Sequence, residues 1–231
     1  MFHWLEQRPF FFTVVLFLTV AFAGLVEALP DFSKASQPLV NTKPYSILEL
    51  AGRQVYIKDS CNACHSQLIR PFKSETDRYG MYSLSGEYAY DRPFLWGSKR
   101  TGPDLMRVGN YRTTDWHENH MMDPASVVPG SIMPAYPHQF TNKADIATAY
   151  ANANTQKHLF NVPYDKPGMP KLGSWDEAKV AALEEAKIIA ADMKNQSVKD
   201  AVAAGEIPEI VALIAVSYTH LRAHETVLDL V

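Results

Sequence analysis

The sequence predicts an all-α protein, one N-terminal transmembrane helix followed by a helical domain with a long loop insertion. Three observations carry that reading. An unbroken apolar run lies close to the amino end, from Phe10 to Leu29. Two Ser-x-x-Glu capping boxes, at Ser46 and Ser174, head helical runs further on. Both cysteines of the chain fall in one pentapeptide, Cys61-Asn62-Ala63-Cys64-His65, directly after the first of those runs. The 231 residues leave enough chain beyond the apolar run for one domain of ordinary size with insertions. A hydrophobic content of 47% with 20% charged residues describes a globular protein rather than a disordered one. The net charge of −3 argues against a nucleic-acid partner, which wants a basic face.

Phe10 to Leu29 is twenty residues with one charge, Glu27. As a helix it covers about 30 Å, the thickness of a bilayer's hydrocarbon core. Ala21-Phe22-Ala23 resembles a signal-peptidase site, but the apolar run continues past it, and Trp4 and Arg8 suit an interfacial anchor. Residues 1–30 therefore read as a retained membrane anchor in contact with lipid, and 31–43 as a polar linker. Ser46 and Glu49 then cap a helix whose stripe of Leu48, Gly52, Val55 and Tyr56 runs into Cys61. A glycine inside a helix costs about 1 kcal/mol relative to alanine, so Gly52 implies close backbone packing.

Two thiols three residues apart can each add across a vinyl group of a haem, and the next side chain then lies where an imidazole nitrogen reaches the iron. The motif thus points to one covalent haem c held by Cys61, Cys64 and His65. A structural zinc site needs four ligands and finds no second cysteine pair. A thioredoxin-like redox pair needs a βαβ setting, and the surroundings are helical. The cysteine count leaves no disulfide.

Between His65 and Gly102 lie 36 residues with seven aromatics and six Lys or Arg. The stretch shows no long helical period and exceeds an ordinary connector. It reads either as a loop wrapping the haem edge or as a docking surface, for which Tyr88, Arg92 and Trp96 carry suitable chemistry. A helix is expected from near Asp115, ending before Pro124. Ser131-Ile132-Met133-Pro134-Ala135-Tyr136-Pro137 reads as extended and proline-braced. A thioether is a soft neutral donor that favours ferrous iron, and Met133, braced between Ile132 and Pro134, is the expected sixth ligand. Met169, also before a proline, is its serious rival; Met106, Met121, Met122, His117, His120 and His138 are further candidates. Thr141 or Asn142 is expected to open a helix ending near Asn161. The Ser174 box heads an Ala-rich helix to about Met193, and Pro208 opens a last helix from Glu209 to about Ala215. The Asp and Glu residues read as a solvated face, and no nucleophile–base pair is apparent.

The helix ending in Cys-x-x-Cys-His resembles the first helix of cytochromes c. That likeness implies that Gly52 and Tyr56 cross the last helix. It also implies that the Pro103 carbonyl in Gly102-Pro103-Asp104-Leu105 orients His65, and that Met133-Pro134 supplies the distal ligand. More specifically, Tyr90 to Leu105, Ser131 to Pro137 and Ile207 to Ala215 resemble the monohaem cytochrome c subunit, subunit II, of cbb(3)-type cytochrome c oxidases. The resemblance implies a cytochrome c-like domain over 44–215 with its insertion at 66–101. It also implies an anchor in a bacterial inner membrane and a haem on the periplasmic side. Electrons would pass from a donor c-type cytochrome to the haem b of a catalytic haem-copper subunit, where oxygen is reduced. Arg100 is expected to pair with a haem propionate, since a guanidinium suits a carboxylate. The small cytochrome subunit of a nitric oxide reductase or a free membrane-anchored cytochrome c shares this layout. A membrane-tethered thiol oxidoreductase would instead use Cys61 and Cys64 as a redox pair. Residues 216–231 form an atypical tail. Val216 stands where the resemblance has a tyrosine, and Ser217 to Thr226 looks like a translated sequencing-adapter fragment.

Overall fold

The structure, a computed structural model, describes residues 2–33, 37–39, 42–97 and 99–219. A short helix, α1 (Phe2–Glu6), precedes α2 (Pro9–Ser33). Within α2, Pro9–Leu29 is long and apolar enough to cross a membrane, with a mean hydropathy of 2.4 and none of its span buried against the rest of the chain. Thr13 and Thr19 return their hydroxyls to the carbonyls of Pro9 and Val15, at 2.9 and 2.8 Å. These groups are therefore satisfied within the helix, as a hydrocarbon environment requires. The backbone stays helical to Ser33, so the expected linker from residue 31 begins as helix.

The domain is built on α3 (Ile47–Lys58) crossed by α10 (Glu209–Thr219). Ser46 and Glu49 close the expected capping box: the Glu49 amide donates to Ser46 Oγ at 3.2 Å and the Ser46 amide to Glu49 Oε2 at 2.7 Å. α7 (Ile146–Leu159) and α8 (Trp175–Asp192) pack on this pair through buried alanines, Ala149 and Ala153 from one and Ala178, Ala182, Ala186 and Ala190 from the other. Residues four apart share a helix face, and alanine there lets backbones approach closely. α7 is capped by Asp145, which accepts from the Thr148 amide at 2.9 Å, so it starts later than Thr141 or Asn142. α9 (Gln196–Ala203), capped by Asn195 and buried through Val198 and Val202, is an element the sequence reading did not contain. α5 (Thr114–Met122) starts from a Thr113 cap, and the single turn α6 (Pro124–Val127) follows it. Among the described residues no strand forms beyond an isolated bridge between Lys143 and Pro208.

Two expectations change. The insertion is more than an irregular loop. It contains α4 (Lys73–Tyr79), a 3-10 turn at Ser85–Tyr88, and a small apolar cluster of Ile69 and Tyr88 with Met106. The acidic residues are not simply a solvated face, because Glu75, Asp91, Asp104, Glu118 and Glu209 are buried. Buried charge is costly unless paired. Arg100 meets Glu75 at 2.7 Å, Arg107 meets Glu87 at 2.6 Å and Arg53 meets Asp91 at 3.9 Å.

α10 runs four residues past the expected end near Ala215. Val216 is buried, and the Tyr218 hydroxyl lies 2.6 Å from Thr114 Oγ1, which ties the end of α10 to α5. Residues 220–231, and with them most of the atypical tail, lie outside the described residues.

Candidate haem site

The site begins where α3 stops. The Asp59 amide still donates to Val55 O at 2.9 Å, but Ser60 adopts the left-handed conformation and turns the chain. Cys61–Ala63 then form a single 3-10 turn, with the His65 amide donating to Cys61 O at 2.9 Å. Both thiols are free, Cys61 buried and Cys64 exposed. Burial, with Asp59 adding to it, pushes the Cys61 thiol up to about 12. Thiol–disulfide exchange uses depressed thiol pKa values, so this environment speaks against a redox pair.

A second segment is laid directly against the first. The Gly102 amide donates to Cys64 O at 2.9 Å, the Leu105 amide to Ser66 O at 2.8 Å, and the Gln67 amide to Trp96 O at 3.0 Å. This pairing brings His65 Nδ1 to 2.8 Å from the Pro103 carbonyl oxygen. A carbonyl can only accept, so the Nδ1 carries the proton and Nε2 keeps its lone pair for a ligand. Gly102 is what makes room, because a Cβ there would overlap the His65 ring.

Asp104 holds the pairing rigid. Its Oδ2 accepts from Ser66 Oγ at 2.6 Å and from the Leu68 amide at 2.8 Å, and its Oδ1 from the Met106 amide at 2.9 Å. Arg100, expected at a propionate, lies in this same network. Its Nε donates to Ser66 Oγ at 2.6 Å, and its Nη2 to Leu68 O and Glu75 Oε2, both at 2.7 Å. The Arg100 guanidinium beside Glu75 holds that carboxyl down to about 2.

Met133 is half-buried on an extended stretch, its amide donating to Ser131 Oγ at 3.2 Å. That stretch is fixed to α5 three residues on, where the Tyr136 amide donates to Met121 O at 2.8 Å. Burial and the nearby Cys61, Asp59 and Cys64 raise the Tyr136 hydroxyl, so the extended stretch borders the cysteines at its Tyr136 end. Three residues of extended chain span about 10 Å. Met106 is taken up by the insertion cluster, with its sulfur 3.6 Å from the Tyr88 hydroxyl. Met121 packs on the core, and Met122 is exposed. Met169 sits in a turn where its amide donates to Lys166 O at 3.0 Å. His117 is buried, and burial pushes it down to about 4, while burial and the neighbouring His65 lower His120.

Sequence reasoning missed Ser66, Asp104 and Tyr136. For Asp104 a signal existed, since an Asp two residues before a chain reversal commonly accepts from the backbone two positions on.

Residues 2–220 match the family described as cytochrome c oxidase, mono-heme subunit/FixO. The chain belongs to this family. No match was found among curated proteins. A mono-haem oxidase subunit requires a place for one haem, and the residues fit one. Two free thiols sit on one turn, the adjacent imidazole donates its Nδ1–H to a carbonyl, and Gly102 leaves the ring a cradle that a Cβ would fill. The mono-heme subunit is thus a cytochrome c component of a terminal oxidase complex, carried by a helical domain behind one N-terminal apolar helix.

Proposed function

We propose that this subunit carries electrons through one covalent haem c from a donor c-type cytochrome to the haem b of the catalytic haem-copper subunit, where oxygen is reduced. The observation that carries the reading is the pairing of His65 Nδ1 with the Pro103 carbonyl beside two free thiols. In this reading Cys61 and Cys64 would hold the haem through thioethers, His65 Nε2 and the Met133 sulfur would ligate its iron, and that iron would supply one-electron exchange. Every other contribution is positional. Pro103 fixes the imidazole plane and raises its donor strength. Gly102 leaves that ring space which a Cβ would occupy. Asp104, Ser66 and Arg100 lock the paired backbone, which keeps reorganisation small when charge changes. The protein performs no bond chemistry on a substrate, and α2 holds it in a bacterial inner membrane with its domain on the periplasmic side.

A pyridine haemochrome spectrum on protein from cells that attach haem c tests the chemistry. A covalent c-type spectrum at one haem per chain is expected, lost in the Cys61→Ala, Cys64→Ala double variant. Covalent haem surviving in that variant overturns the assignment.

A further inference from the structure

The C-terminal end of α3, the 3-10 turn Pro137–Phe140 and the first residue of α10 converge just before the cysteine turn. There Asp59, His138 and Glu209 present one ligand atom each, all within 4.8 Å of one another. We propose that these three residues form a binding site for a divalent transition-metal ion, with Zn2+ as the representative.

The polar groups around this cluster are not all satisfied among the described residues. Glu209 is 7% exposed, and its Oε2 is buried with no hydrogen-bond partner among the described residues. Gln139, at 0% exposure, donates from Nε2 to Asp59 Oδ2 at 2.7 Å, and its Oε1 is likewise buried and partnerless. The Glu209 orphan is an acceptor within the cluster, which a cation satisfies and a further acceptor does not. A buried acceptor left unmade costs about 1–3 kcal/mol. Charge points the same way. Among the described residues, two carboxylates with largely covered side chains share the Lys58 ammonium, which pairs with Glu209 Oε1 and stands 3.9 Å from Asp59 Oδ1. That ammonium is half-exposed and can swing to solvent, whereas the carboxylates cannot leave.

The donor set selects the class of ion. His138 Nε2, now 3.1 Å from Asp59 Oδ2, adds an imidazole to two carboxylates. Calcium takes six to eight oxygens, and imidazole with carboxylate suits zinc and its first-row neighbours. Zinc ligands sit about 2.0–2.2 Å from the metal, so the exposed His138 ring has to close in by roughly an ångström, with water completing the shell. Such an ion ties α3, the turn before α7 and α10 together next to the cysteine turn.

The test uses the full-length, haem-loaded, detergent-solubilised protein, stripped with chelator and titrated with ZnCl2 by calorimetry, with zinc per haem counted after gel filtration. The wild type is expected to hold one zinc more than His138→Ala, and its thermal midpoint is expected to rise with zinc only when His138 is present. Glu209→Gln is expected to weaken zinc binding about tenfold or more. His138 is exposed, so His138→Ala decides the matter even where Glu209→Gln fails to fold. Equal zinc content in wild type and His138→Ala overturns the proposal.

Discussion

Gly52 faces the carbonyl of Ala212 so closely that a Cβ on Gly52 would overlap it. The crossing of α3 and α10, which sets the direction in which Cys61 leaves α3, depends on that missing methyl. Alanine at position 52 gains about 1 kcal/mol of helix propensity. Against this stands overpacking onto a backbone atom, worth about 1–3 kcal/mol and with no flexible side chain to yield. Gly52→Ala is therefore expected to lower the thermal midpoint by several degrees. Circular dichroism of the haem-loaded protein reads this directly, and an unchanged or raised midpoint would show that the crossing relaxes freely.

Gly102 and Pro103 act on His65 by different atoms, which separates their variants. Gly102→Ala puts a methyl into the imidazole ring and is expected to displace it from the Pro103 carbonyl. Low-spin haem should then fall while helix content holds. Pro103→Ala keeps the carbonyl acceptor, so its effect on the spin state is expected to be much smaller. Equal losses in both variants would show that proline rigidity, not the cradle, positions the ring.

The helices that the sequence made legible are those with complete local signals. Ser46 with Glu49 and Ser174 with Glu177 close real capping boxes, and Gly52 marks a real crossing. α9 escaped because its eight residues bury only Val198 and Val202, a period too short to stand out. α4 escaped for a related reason: of its side chains only Glu75 is buried, and that residue is an acid held by Arg100. In the site, Cys61, Cys64 and His65 announce themselves by spacing. Asp104 and Arg100 do not, because their roles depend on two segments 32 to 38 residues apart lying side by side.

Met133 is the expected distal ligand, since Met106 is committed to the Tyr88 cluster and Met169 to a turn of its own. Met133→Leu should abolish the red charge-transfer band of the ferric protein and lower its midpoint potential. Met169→Leu should change neither. The reverse pattern moves the ligand to Met169.

Glu75 links acid stability to the insertion. The Arg100 guanidinium lowers its carboxyl from the usual 4.5 to about 2. Between those values the unfolded chain binds the extra proton, so this contribution is complete above pH of about 4.5 and disappears as pH falls toward 2. Glu75→Gln should destabilise at neutral pH and flatten the pH dependence in that acid window. Denaturant titrations at several pH values check it, and an unaltered slope in Glu75→Gln would assign the acid sensitivity elsewhere.

Phe94 and Trp96 are stacked at 4.6 Å with planes 11° apart, yet are 47% and 41% exposed. The pair is rigidly mounted. Trp96 meets the buried Tyr88 ring edge-on at 5.7 Å, and its carbonyl accepts from the Gln67 amide, two residues after His65. A fixed, exposed aromatic pair is the composition of an interface anchor, and the chain is one subunit of an oxidase complex. Of the residues first taken to mark this surface, Tyr88 is buried and bonded to Gln67 O at 2.7 Å, so its loss would damage the fold itself. The informative variant is Phe94→Ser with Trp96→Ser. Anchors of this kind are worth about 2 kcal/mol or more each, so co-purification with the catalytic subunit should fall by well over tenfold. Haem content of the isolated subunit should stay unchanged. Normal assembly of the oxidase with the double variant would show that its partners dock on another face.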